Sequence, residues 1–275
     1  MNKLLLIGDA MIDRNIYLSN PKKSAEVEIK YYKKEEINMS LGGAANVLQS
    51  LSSFYPKNKI DFAFQIGTSV KYKNFLKTKL IKLCKPIFFY SKKTKTTIKT
   101  RYYFNDKQIF RIDDESIKNN LFLKKIKSFI NLNISKYNKV IVSDYNKGFV
   151  TKELLQYLSE LKKKYKFQIL VDTKKNDLRL FRNFDYIKQN YKEYKSLGIN
   201  KTELKSYLKK YNIQNYLLTK SEQGMDIFSD KNFFSEKNLF KVNANNVSGA
   251  GDTILSSLVI LDSIIKNKKK NDKHF

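Results

Sequence analysis

Asn246-Val247-Ser248-Gly249-Ala250-Gly251-Asp252-Thr253 joins a glycine turn to a carboxylate at the mouth of an apolar helix that continues through Ile254 and Leu255. A turn of this composition bares backbone N–H groups at the positive end of a helix, where a phosphoryl group can be held. Asp252 falls in the first helical turn, within reach of a hydroxyl attacking such a group. The combination reads as apparatus for phosphoryl transfer from ATP. The plainer alternative is a helix cap, with Asp252 doing no more than satisfying backbone amides.

Working back from this turn, apolar runs alternate with helical stretches. Val140-Ile141-Val142, Ile169-Leu170-Val171 and Tyr216-Leu217-Leu218 predict buried parallel strands, each ending at polar residues: Ser143-Asp144, Asp172-Thr173 and Thr219-Lys220. Leu154, Leu155, Leu158 and Leu161 recur at helical spacing and predict a helix over 152–164. Lys3-Leu4-Leu5-Leu6-Ile7 reads as a buried first strand, since Gly8-Asp9 cuts it too short for a signal peptide or a membrane span. This is a β/α pattern, whose sites form beyond the carboxyl ends of the strands. Two segments break the alternation, at about 15–40 and 86–113. They are rich in Tyr, Phe, Ile and Thr and predict a small antiparallel lid. With no internal repeat or proline-rich linker, residues 1–275 read as a single domain.

Composition narrows the chemistry. A chain of 275 residues with 41% hydrophobic content can bury a substantial core. The net charge of +28 raises a nucleic-acid or membrane-surface role. The lysines are spread along the whole chain, however, and no finger spacing, helix-turn-helix or RNP-type pattern accompanies them. The reading is a solvated lysine surface, with neither nucleic acid nor membrane as a partner. One cysteine, Cys84, excludes an intramolecular disulfide and leaves the cytoplasm as the expected compartment. The one histidine, His274, stands in the terminal tail, which disfavours serine–histidine and cysteine–histidine catalysis and histidine-based zinc sites. Catalysis then rests on carboxylates, lysines, backbone amides or a bound metal, as phosphoryl transfer requires.

Gly42-Gly43-Ala44-Ala45-Asn46-Val47 near one end and Gly249-Ala250-Gly251-Asp252-Thr253 near the other resemble, in that order, the paired signatures of the ribokinase-like (PfkB) sugar kinases. Further segments are similar to one branch, the D-glycero-β-D-manno-heptose-7-phosphate kinase domain of bifunctional heptose kinase/adenylyltransferases. They are Gly8-Asp9-Ala10-Met11-Ile12-Asp13-Arg14, Ser143-Asp144-Tyr145-Asn146-Lys147-Gly148, Val171-Asp172-Thr173-Lys174 and Leu218-Thr219-Lys220-Ser221-Glu222-Gln223-Gly224-Met225. The resemblance implies a three-layer α/β/α fold with a mostly parallel sheet and a small antiparallel β lid. It also implies transfer of the ATP γ-phosphoryl group to O1 of the sugar, a step toward ADP-heptose and the lipopolysaccharide core.

On this resemblance Asp252 is the general base, and Gly249, Ala250 and Gly251 present amides to the developing phosphate charge. Gly42 and Gly43 let backbone approach the sugar, and Asn46 can donate to and accept from its hydroxyls. A tight turn at a helix start is the alternative there. Asp9 and Asp13 are paired acceptors for hydroxyls, unless Asp13 only pairs with Arg14. Lys99, Arg101, Arg111 and Lys147 are candidates for the phosphate already on the sugar, with Arg111 and Lys147 foremost. Asn190 and Glu193 resemble the family's Asn-x-x-Glu element, which organises ATP phosphates and magnesium through water, although Asn followed by Glu is also common at helix starts. Thr219, Lys220, Glu222 and Gly224 fall where the family lines the nucleotide site.

The departures from the family pattern are equally specific. Asn246 stands where the family carries Asp beside a monovalent-cation site, so the resemblance leaves potassium dependence in doubt. The chain runs into a Lys-rich tail at 266–275 where the family continues through further helices, so a shortened nucleotide side is expected. The resemblance further implies a homodimer through the lid and a separate adenylyltransferase in the pathway. Two other readings stay open: a PfkB-type kinase for a different sugar or sugar phosphate, and a non-catalytic sugar- or nucleotide-binding protein.

Overall fold

The structure, a computed structural model, describes residues 3–24, 29–115, 121–229, 232–237 and 249–271, with side chains of the last helix described to residue 265. Its spine is a nine-stranded sheet. From one edge to the other run β15 (Phe233–Glu236), β14 (Met225–Phe228), β13 (Asn215–Thr219), β12 (Tyr186–Asn190), β11 (Gln168–Thr173), β10 (Tyr137–Asp144), β1 (Lys3–Gly8), β6 (Ile60–Ile66) and β7 (Lys85–Tyr90). The pairs from β13 through to β7 are parallel, and β14 and β15 close the far edge antiparallel. β1 and β6 are buried along almost their whole length, the signature of a parallel sheet covered on both faces.

The chain leaves β1 toward β6 and β7 but leaves β10 toward β11, β12 and β13, so the strand order reverses between β1 and β10. Right-handed crossovers running in opposite directions put α1 (Ala44–Ser52) and α4 (Lys152–Lys164) on opposite faces. Accordingly α1 packs on α7 (Ala250–Asn271), and α4 packs on α3 (Leu123–Asn133). α2 (Val70–Leu80), α5 (Tyr191–Lys195) and α6 (Lys201–Lys210) complete the described α-helices. The local sequence explains α4 well. Thr151 accepts from Leu154 N at 3.2 Å, Glu153 lies in the first turn, and Lys162 to Lys164 lie in the last, as the helix dipole favours. Its buried Leu154, Leu155 and Leu158 each contribute about 2 kcal/mol of burial.

A second sheet has the order β5 (Lys34–Gly43), β2 (Ala10–Leu18), β8 (Thr97–Phe104) and β9 (Lys107–Asp114). β3 (Lys22–Lys23) and β4 (Lys30–Tyr31) form a separate two-stranded ribbon. Asn105 and Asp106, at φ 47° and 59°, make the tight β8–β9 hairpin turn, a backbone that short polar residues tolerate.

Two details differ from the sequence reading. β2 and β8 pair in parallel, so the lid is two antiparallel pairs flanking a parallel one. The extended segment at 86–113 also splits, because Lys85–Tyr90 adds to the main sheet beside β6 and only the later residues join the lid. The partly apolar Lys-Pro-Ile-Phe-Phe-Tyr run is equally fit for either sheet, and contact of Phe88 with Phe64, ring centres 5.1 Å apart, settles it. No described helix is long and apolar enough to cross a membrane.

Candidate active site

The ends of β1 and β10 meet at the strand-order reversal, where an open α/β sheet leaves a crevice. Asp9, directly after β1, is buried. Its Oδ2 accepts from Tyr145 N at 2.9 Å and Lys147 N at 3.2 Å, so it ties down the turn after β10. Its Oδ1 is buried without a hydrogen-bond partner among the described residues. Burial and then the neighbouring Asp144 push this carboxyl up from 3.8 to about 6. Asp144 is itself held by Thr173 Oγ1 at 2.8 Å and Lys175 Nζ at 2.6 Å.

The glycines supply the floor. Gly43 sits at φ 57°, and a Cβ there would fall 2.4 Å from the Asp9 carbonyl oxygen. A Cβ on Gly42 would fall 2.5 Å from Asp13 Oδ2. Asp13 pairs with Arg101 at 2.7 Å and not with Arg14, whose guanidinium binds Thr100 Oγ1 and Tyr72 Oη. β2 places Asp13 beside β8, so the cross-strand neighbour takes the pair from the sequence neighbour.

Gly249, at φ 92°, leads into α7, and Thr253 N closes the first turn on its carbonyl at 2.9 Å. Asp252 in that turn is 3% exposed. Tyr145 Oη donates to its Oδ1 at 2.7 Å, and Asn46 Nδ2 donates to its Oδ2 at 3.3 Å. Burial raises the Asp252 carboxyl above its ordinary value, against the two hydrogen bonds and the Lys188 and Lys99 charges, which lower it. Burial, then Asp252, pushes the Tyr145 phenol upward, which keeps it a hydrogen donor. Ser256 Oγ donates to Val47 O at 3.2 Å and so ties α7 to α1 behind the carboxylate.

Gly251 faces a cation that the sequence reading does not single out. A Cβ at Gly251 would fall 2.6 Å from Lys188 Nζ, so the Lys188 ammonium rests against the start of α7. That ammonium pairs with Asp172 Oδ2 at 2.7 Å. Burial lifts the Asp172 carboxyl from 3.8 to about 6 although Lys188 opposes the shift. A signal exists: Tyr186-Ile187-Lys188-Gln189-Asn190 carries a lysine where a buried parallel strand otherwise wants an apolar residue. Tyr145 lies inside a quoted segment, but its role depends on a contact 107 positions away.

The nucleotide-side candidates lie one strand further along, where β12 and β13 bring Asn190 opposite Thr219. Asn190 and Glu193 form a reciprocal capping box at α5. Asn190 Oδ1 accepts from Glu193 N at 2.9 Å, and Glu193 Oε2 accepts from Asn190 N at 2.8 Å. The helix-start reading is therefore realised. Glu193 Oε1 stays outside the box, a carboxylate oxygen of the kind magnesium takes alongside water. No group of three or more His, Cys, Asp or Glu among the described residues could hold a metal by itself. Lys220 pairs with Asp226 at 2.6 Å across the β13–β14 hairpin. Gly224 turns that hairpin at φ 87°, and Glu222 is exposed in it. Thr219 Oγ1 reaches Gln189 O only at 3.5 Å.

Of the proposed phosphate-holding cations, Arg111 lies exposed on β9 and pairs with Asp113 at 2.9 Å, and Lys147 pairs with Glu115. Asn246 and Ser248 of the glycine turn, and His274 with the rest of 272–275 at the end of the tail, lie outside the described residues.

A family model described as pfkB family carbohydrate kinase matches residues 1–260. The bifunctional protein HldE of Aliarcobacter butzleri is 32% identical over 267 residues, which cover 93% of this chain and 55% of that protein. HldE of Helicobacter pylori strain J99 is 31% identical over 280 residues, 98% of this chain and 59% of that protein. The chain thus spans less than two thirds of the length of these relatives. Among solved structures, phosphofructokinase-2 from Escherichia coli superposes with a TM-score of 0.74 at 14% identity, covering 97% of this chain and 87% of that one. Ribokinase from Giardia lamblia gives 0.69 at 13% identity, covering 94% and 82%. At these identities the two structures speak to the fold alone.

Proposed function

The chain belongs to the pfkB family of carbohydrate kinases, and from that premise we propose that it transfers the γ-phosphoryl group of ATP to O1 of D-glycero-β-D-manno-heptose 7-phosphate. The observation that carries the kinase reading is the Asn46–Asp252 hydrogen bond at 3.3 Å. It unites residues 206 positions apart, one from each glycine signature, at a single point. The two HldE relatives, at 32% and 31% identity, support heptose as the acceptor.

Each side chain then has work that follows from its placement. Asp9 Oδ1, buried and unpartnered among the described residues, accepts a sugar hydroxyl. Gly42 and Gly43 keep the floor clear beside Asp13, and Asn46 offers an amide both to Asp252 and to the sugar. Asp252 Oδ1 and Oδ2 each have one donor already, which leaves a lone pair for the O1 hydroxyl. As O1 bonds to the γ-phosphorus its proton passes to Asp252, the bond to the ADP oxygen breaks, and the proton is released with the products. The amides at the start of α7 and the Lys188 ammonium face the charge that gathers on the transferring oxygens. Glu193, through Oε1, and Asn190 are the residues that would hold hydrated magnesium, which neutralises nucleotide phosphate charge when bound.

A separate adenylyltransferase is expected later in the pathway, acting on the 1-phosphate once the 7-phosphate has been removed, and the cytoplasm is the compartment we assign. The exposed β9 edge of the lid, with Ile109, Phe110 and Ile112, supports pairing of two lids in a homodimer. The function is tested by following ADP release with magnesium-ATP and a panel of sugars and sugar phosphates. Turnover with the heptose 7-phosphate alone bears the proposal out, and turnover only with another sugar moves the acceptor. Equal inactivity of the wild type and of Asp252→Asn with every acceptor overturns it.

A further inference from the structure

Most cations around the site are already matched. Arg101 is taken by Asp13, Arg111 by Asp113, Lys147 by Glu115, Lys175 by Asp144 and Lys188 by Asp172. Lys99 and Lys174 differ. Neither ammonium makes an ion pair or a hydrogen bond with a described residue, and both instead lie over the ring of Tyr145, at 5.2 Å and 5.0 Å.

The register of the lid explains why Lys99 is left over. On β8 it stands opposite Asp13 of β2 on one side and Asp113 of β9 on the other. Both carboxylates are committed to arginines, so the lysine between them turns to the aromatic face. Lys174 arrives from the loop after β11, directly behind Asp172 and Thr173. Burial first, and then Lys174, holds the Lys99 ammonium below its ordinary value, so the two cations repel in a partly desolvated place. A dianion between them would relieve that repulsion. The ring they share carries the hydroxyl bound to Asp252, so such an anion would sit one aromatic ring away from the base.

We infer that Lys99 and Lys174, brought together over Tyr145, form a phosphate-monoester subsite that holds the phosphate already carried by the acceptor sugar. This rests on the kinase reading above and names the residues that make the acceptor a sugar phosphate. It places recognition on one lid strand and one main-sheet loop, so binding the phosphate draws the two sheets together. Arg111 and Lys147, foremost in the sequence reading, serve internal ion pairs instead.

The test uses the full chain and titration calorimetry without ATP, comparing D-glycero-D-manno-heptose 7-phosphate with the unphosphorylated heptose, beside steady-state kinetics. Lys99→Gln and Lys174→Gln are each expected to weaken binding of the phosphorylated sugar by about tenfold, as loss of one charged hydrogen bond implies. Binding of the plain heptose and the KM for ATP are expected to stay unchanged, and Lys99→Arg is expected to retain most of the affinity. Unaltered binding of the phosphorylated sugar by both Gln variants overturns the subsite. So does a wild type that binds the two sugars alike, and so does a rise in KM for ATP alone, which would assign the ammoniums to the donor. Lysine-dependent binding without turnover would keep the subsite and remove the kinase reading, whereas turnover indifferent to both lysines would do the reverse.

Discussion

Tyr145 Oη donates to Asp252 Oδ1 at 2.7 Å, so the turn after β10 directly braces the carboxylate at the head of α7. The bond stabilises the ionised form of Asp252 and lowers its pKa against burial. In Tyr145→Phe that opposition disappears and the carboxyl is protonated over a wider acidic range. The acidic limb of kcat/KM is therefore expected to move to higher pH, with the limb position read from a pH–rate profile. A limb that stays in place while activity merely falls would limit Tyr145 to packing.

Asp252→Asn keeps the shape and the Asn46 contact region but removes the proton acceptor. A drop in kcat of about 10²–10⁴-fold is expected, the usual worth of a positioned base. Thermal unfolding should stay close to wild type, because the variant no longer has to bury an ionisable group. Full activity in the variant would leave Asp252 as a helix cap only.

Gly43→Ala tests the floor of the site. The position holds φ at 57°, and the added Cβ would meet the Asp9 carbonyl at 2.4 Å, a backbone atom with nowhere to swing. Destabilisation of about 1–3 kcal/mol from the backbone strain alone is expected in urea unfolding. The Ala44 N to Asp9 O hydrogen bond of 3.0 Å, which starts α1, would be stretched with it.

Asp9 links function to stability through pH. Its carboxyl is held at about 6 when folded, against 3.8 ordinarily. A raised folded value means that the favourable, protonated contribution is fully present below pH 3.8 and is lost as pH rises through about 6. Keeping Asp9 ionised at neutral pH therefore costs on the order of 3 kcal/mol. Asp9→Asn, which can still accept from Tyr145 N and Lys147 N, is expected to unfold at higher denaturant than wild type at pH 7.5 and to converge with it near pH 3.5. The same variant should bind the acceptor sugar more weakly. Equal stability at both pH values would show that the charge is solvated.

How far the site is legible in the sequence depends on whether a residue acts through its neighbours in sequence or in space. The strand ends Ser143-Asp144, Asp172-Thr173 and Thr219 are visible because an apolar run that stops at polar residues is a local pattern, and β10, β11 and β13 end there. The helix at Lys152–Lys164 is visible for the same reason. Asn190 and Glu193 are visible twice over, and the capping box is the reading that local spacing alone can decide. Lys188 escapes a reading that weighs its strand for hydrophobicity and not for the charge inside it. Arg14 offers itself as the partner of Asp13 because it follows in sequence, but strand pairing puts Arg101 there instead.

Two glycine signatures in order, strands alternating with helices and a carboxylate at a helix start were determined by the sequence alone, since each is set by composition and spacing within a few turns of chain. Tertiary structure decided that Asn46 and Tyr145 converge on Asp252, that Lys188 rests on Gly251, and that Lys99 and Lys174 share one ring. It also decided that Lys85–Tyr90 extends the main sheet and not the lid. These outcomes depend on which strands lie side by side. Strand order follows from packing the whole core, and local periodicity carries no record of it.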